Sequence, residues 1–166
     1  MQFFVWLEHT AFSSWVRESS SLLAYPGVLF LHTVGLGILV GINAAIDLRI
    51  LGVASEIPLR VLDRFFPLMW VGFYINAVSG TVLLIIDATT KLSSPVFYIK
   101  LLLIAFAVVN MVMIRNRVFR DPLLDKRPVQ LNGKILAWTS LFLWTGAITA
   151  GRLMAYLGPV GENLKK

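Results

Sequence analysis

The chain has 166 residues, of which 57% are hydrophobic and only 14% charged. Soluble domains carry roughly 25% charged residues, and no polar stretch here is long enough for a soluble domain, so the sequence reads as one membrane domain over residues 1–166. The net charge of +6 suits short topology-setting loops and excludes nucleic acid as the expected partner. The lack of cysteine excludes disulfides, thiolate metal sites, c-type haem attachment and iron–sulfur clusters.

Residues 1–20 read as an amphipathic helix. Phe4, Leu7, Ala11 and Trp15 recur at helical spacing on one face, and His9, Ser13 and Arg17 on the other. The segment is too polar to span and rich in aromatic residues, so it is expected to lie in the membrane interface. It lacks a basic leading stretch and is not expected to be a secretory signal. Ser19 to Ser21 break it and offer a cap for the next helix.

Four apolar segments follow, at about 22–46, 67–87, 95–114 and 135–157. Each is long enough for a hydrocarbon core of about 30 Å. Pro26 suits the first turn of the first. Gly37 and Gly41 form a spaced pair of small residues that allows close packing, as do Ala147 and Gly151 in the fourth. Ser94-Pro95 reads as a cap followed by a helix-starting proline. An N-terminal interfacial helix with a four-helix transmembrane bundle, an all-α integral membrane fold, is the expected architecture.

The loops set the expected orientation. Arg49, Arg60 and Arg64 occupy the loop after the first span; Arg115, Arg117, Arg120, Lys126, Arg127 and Lys134 occupy the loop after the third. Those nine basic residues face Arg17, Lys91, Lys165 and Lys166 on the other side. The excess places the basic loops in the cytoplasm and both termini outside.

Each span carries a polar stripe, and polar faces in lipid turn inward. The stripes are His32, Gly35, Leu39 and Asn43; Met69, Gly72, Asn76, Gly80, Leu83 and Asp87; Lys100, Ile104, Ala107 and Met111; and Thr145, Thr149, Arg152 and Tyr156 with Trp138 further in. Lys100 and Arg152 each lie five residues from the outer end of a span, about 8 Å deep at 1.5 Å per residue. Asp87 lies at the boundary and His32 about 15 Å down by the same rise. Two cations, a carboxylate and a neutral imidazole in the outer half suit an anionic or carboxylate-bearing ligand that enters from outside. Simpler readings stand beside this one. Lys100 and Arg152 snorkel to the headgroups, Asp87 pairs with Lys91, and His32 is a hydrogen-bonding strut. On the same view His9 is solvated, and Asn43, Asn76 and Asn110 bond between helices.

Several stretches in order resemble a family of small bacterial four-span membrane proteins. They are Trp15-Val-Arg-Glu-Ser19, Leu31-His-Thr-Val-Gly35, Asp47-Leu-Arg-Ile-Leu-Gly52, Phe97-Tyr-Ile-Lys100 and Gly151-Arg-Leu-Met-Ala-Tyr156. The bundle is more distantly similar to copper-resistance D membrane domains and four-helix haem-b cytochromes, which hold copper or haem with histidines inside their spans. The resemblance implies a bacterial inner-membrane location and a redox or metal-handling role. Only His32 matches such a ligand position. The expected site is therefore His32, as haem or copper ligand, with Lys100, Arg152, Asp87 and Tyr156 around it. A second ligand would come from Met69, Met111, Met154, His9 or His32 of a second copy. Two further readings remain: a non-catalytic accessory or anchoring subunit of a larger membrane complex or homo-oligomer, and a small transporter, which would break a helix near Gly35 to Gly41. No nucleophile–base pair, paired carboxylates or phosphate loop points to an enzyme.

Overall fold

The computed structural model describes residues 2–157, with side chains for 5–154. The described residues form α1 (Gln2–Glu8), α2 (Ala11–Glu18), α3 (Tyr25–Leu51), α4 (Leu59–Leu62), α5 (Phe66–Ile85), α6 (Ala88–Leu92), α7 (Pro95–Ile114) and α8 (Leu131–Leu157), with no strand. A 3-10 turn leads from α4 into α5, and a π-turn over Arg115–Phe119 extends α7. Three stretches, Tyr25–Leu51, Leu59–Ile85 and Pro95–Phe119, are long and apolar enough to cross a membrane.

The N-terminal segment is two helices rather than one. Thr10 stops α1 and starts α2: its hydroxyl accepts the Ser13 N–H at 3.3 Å, and the Ser13 hydroxyl donates back to Leu7 O at 2.7 Å. A β-region residue with a side-chain acceptor is a strong N-cap, and it outcompetes the continuous apolar stripe. Ser13 and Val16 are buried, whereas Phe12 and Trp15 face outward. Glu8 fastens this segment to the rest of the fold by accepting from the N–H and hydroxyl of Thr89, at 2.7 and 2.8 Å.

Helix α3 continues five residues past the expected end at Ile46. It stops where Gly52, the first glycine after Ile46, takes a left-handed conformation at φ 109° and its N–H closes the last turn, a conformation that carries no steric cost at glycine. Asp47 therefore lies in the helix and not in the following loop. α5 ends before Asp87, which becomes the N-cap residue of α6. α7 starts at Pro95, but the Ser94 side chain makes no capping bond. Likewise, Ser21 bonds Leu23 N, and α3 has no side-chain cap.

α3 packs against α5 and α8, and α8 packs against α7. The α3–α5 crossing is made by Gly35 and Gly72. A Cβ on Gly35 would lie 2.8 Å from Asn76 N, and one on Gly72 would lie 2.9 Å from Gly35 O. The expected pair, Gly37 and Gly41, instead faces open space. The buried core sits toward the basic loops, with Leu39, Ile46, Ile50, Met69, Met111, Ile114 and Trp144. At that end the Asp125 carboxylate accepts from the N–H groups of Leu59 and Arg60, at 2.7 and 3.0 Å. It caps α4 and ties the two basic loops together.

The stripe expected on the fourth segment faces outward over Thr145 and Thr149. Thr145, Thr149 and Arg152 are exposed, as is Trp138 at 65%. The inward face is Ala137, Ser140, Trp144 and Ala147, with Gly151 half-buried beside them. Thr149 satisfies its own hydroxyl by donating to Thr145 O at 2.8 Å, so it needs no partner helix. Small side chains on the opposite face let α7 and α3 approach.

Candidate functional site

In the half away from the basic loops, all four long helices line one cavity of about 530 Å³. That is within the usual range for small-molecule sites. Its walls are mostly apolar, with Leu29, Leu36, Phe73, Leu83, Phe97, Ile104 and Ile148 among them. Its polar groups are few: Tyr25, His32 and Thr33 from α3, Asn76 from α5, Lys91 from α6, Lys100 from α7 and Arg152 from α8, with the Trp144 indole. Among the described residues, three cations line this cavity and no carboxylate does.

His32 is held by a defined set of bonds. Its Nδ1 lies 3.1 Å from Asn76 O and 3.1 Å from Ser79 Oγ. A backbone carbonyl only accepts, so Nδ1 carries the hydrogen toward Asn76 O. The lone pair of the neutral ring then sits on Nε2, as in imidazoles arranged to ligate. Asn76 closes the pair by donating from Nδ2 to His32 O at 2.8 Å. Gly80 provides the seat, since a Cβ there would come within 3.0 Å of the ring. The strut and ligand readings of His32 are thus compatible: one nitrogen braces α5 and the other is left for chemistry.

The cations converge from three elements. The Lys100 side chain lies along α8 at Gly151, with Cε and Nζ 3.5 and 3.6 Å from where a Cβ would stand. This matches the equal depths of Lys100 and Arg152. Lys91 donates to Leu83 O and approaches Asp87 Oδ2 at 3.8 Å. Burial pushes the Lys91 ammonium below the usual lysine range; Asp87 pulls it back and Lys100 adds to the lowering. Asp87 does not itself line the cavity and acts there only through Lys91. Tyr156 falls in α8 beyond the described side chains.

Trp144 lines the same cavity, and its buried Nε1–H has no partner among the described residues. An unsatisfied buried donor costs about 1–3 kcal/mol, a cost that an acceptor on a ligand would relieve. The sequence marks neither this tryptophan nor Lys91 as a residue of the site. Of the candidate methionines, Met154 lines the cavity, whereas Met69 and Met111 are buried in the core.

The three asparagines bond between helices. Asn76 reaches α3, Asn110 donates to Leu136 O at 2.9 Å, and Asn43 reaches Ser140. Among the described residues, no three of His, Cys, Asp and Glu gather where they could hold a metal ion. Helix α3 runs unbroken through Gly35 to Gly41. Comparison with family models, with curated proteins and with solved structures gives no match.

Proposed function

We propose that the protein is a four-span membrane protein whose outer-half cavity binds an anionic, largely apolar ligand, and that haem b is that ligand. The supporting observation is the composition of the cavity: a neutral imidazole, three cations and no carboxylate within apolar walls. α8 is the fourth span. It has 27 residues, as α3 does, and packs on α3 and α7. The basic loops face the cytoplasm and both termini face outward.

The residues fit this cofactor. His32 would hold the group through Nε2, and Lys91, Lys100 and Arg152 would take the propionate carboxylates as charge-assisted partners. Met154, lining the same cavity, would be the thioether candidate for a second ligand. When bound, haem supplies one-electron chemistry; the chain supplies the ligand, the charge match and exclusion of water. The cations decide between haem and copper. Three positive side chains around one imidazole repel a free copper ion and attract a dianion.

The test is a reduced-minus-oxidised spectrum of protein purified in mild detergent, with His32→Ala alongside. The proposal expects a haem signal in the native protein that is lost in the variant. No haem signal, or one that survives the substitution, overturns it.

A further inference from the structure

A second polar cluster lies at the basic-loop end of the bundle, apart from the cavity. Asp47 is wholly buried in α3. Asn43, one turn earlier, is also buried, and so is Ser140 on α8. The Asn43 amide lies 2.6 Å from Asp47 Oδ2 and 2.5 Å from Ser140 Oγ. The other carboxyl oxygen, Oδ1, is buried with no partner among the described residues.

No cation neutralises this carboxyl. The helices packed on α3 are α4, α5 and α8. α5 carries no charged residue, and Arg60 of α4 is exposed. Lys134 of α8 is exposed, and Arg152 lies at the far end of that helix. On α3 itself, Arg49 turns away to donate to Ser55 O and Ile57 O. Asp47 forms no ion pair among the described residues. An ionised carboxylate in such a place costs several kcal/mol in lost hydration.

We infer that Asp47, Asn43 and Ser140 form a proton-binding site inside the bundle, in which the Asp47 carboxyl carries the proton. Turning the Asn43 amide over exchanges its nitrogen and oxygen without moving any other atom. Asn43 Oδ1 then accepts from the Asp47 hydroxyl and from the Ser140 hydroxyl. The site is a neutral clasp between α3 and α8, held closed by its proton.

Infrared spectroscopy of the full chain at neutral pH tests this. The native protein shows the carbonyl-stretch band of a protonated carboxyl. Asp47→Asn, which has the shape of the protonated side chain, removes that band and melts at an unchanged temperature. Ser140→Ala keeps the band and shifts it, because one hydrogen bond of the cluster is lost. Absence of the band from the native protein, its persistence in Asp47→Asn, or an unshifted band in Ser140→Ala overturns the proposal. Should Asp47→Asn not fold, the isostere has failed to replace the carboxyl, and the proposal is overturned on that ground too.

Discussion

Single side chains in the cavity carry distinguishable parts of the proposed function. Lys100 is half-buried against α8, so its contact with an anion is poorly screened by water. Losing a charge-assisted bond costs about 1.5–3 kcal/mol; Lys100→Met should weaken ligand binding by about tenfold to a hundredfold, measured by equilibrium titration. Gly80 acts through His32. With the ring seated within 3.0 Å of a would-be Cβ, Gly80→Val should displace the imidazole and abolish the axial-ligand signal while the protein stays helical by circular dichroism. His32, Lys100 and Arg152 were legible because the cost of polar groups in lipid marks them in any sequence. Asp47 was not, because it sits at the end of an apolar run where span and loop look alike. Its spacing of four from Asn43 and eight from Leu39 was the available signal. Trp144 was missed because indoles are common in membrane helices, and only the structure shows its N–H buried without a partner.

Helix contacts give sharper tests than helix lengths. The α3–α5 crossing depends on Gly35 and Gly72, whereas Gly37 and Gly41 meet nothing within 4 Å. Gly35→Leu should therefore lower the melting temperature sharply, or prevent folding, and Gly37→Leu should leave it nearly unchanged. Both glycines lie within one apolar run, and a spacing pattern cannot say which face meets a partner. The outward turn of Thr145 and Thr149 reflects the same limit, since a threonine that bonds its own helix gives no sign of facing inward. The α1 tether gives a pH-dependent test. Burial works against ionisation of Glu8, but its bonds from Thr89, aided by Arg17 and His9, outweigh this and hold it below its ordinary value. A group with a lowered folded pKa adds stability that is complete above the ordinary value of about 4.3 and is lost as pH falls through the folded value. Acid should loosen α1 in the native protein, seen as lower amide-exchange protection over Gln2–Glu8 relative to the intrinsic rate at each pH. In Glu8→Gln that protection should already be lower at neutral pH and change little on acidification.

At the scale of the molecule, the two halves of the bundle differ in kind. Toward the basic loops the helices close on a buried core and the Asn43–Asp47–Ser140 cluster; toward the other end they surround a cavity with cations at its wall. In the proposed orientation the cavity opens to the outside. Labelling of single cysteines with a membrane-impermeant maleimide checks this. A cysteine at Ser55 should react only after the membrane is opened, and one at Ser93 should react in intact cells. The sequence was sufficient for an all-helical apolar chain, because periodicity and length are local properties. It did not indicate that α5 and α7 fail to pair while α3 and α8 hold the centre, since that depends on which faces interlock.

The most direct test of the central claim is a titration of haem-free protein with haem and with haem whose two propionates are methyl esters. Both present the same macrocycle and iron to His32, but only haem presents carboxylates to Lys91, Lys100 and Arg152. The account predicts one haem per chain and at least tenfold weaker binding of the diester. It also predicts that His32→Ala abolishes the ligated spectrum of both. Equal affinity for haem and diester, or binding indifferent to His32, would contradict it.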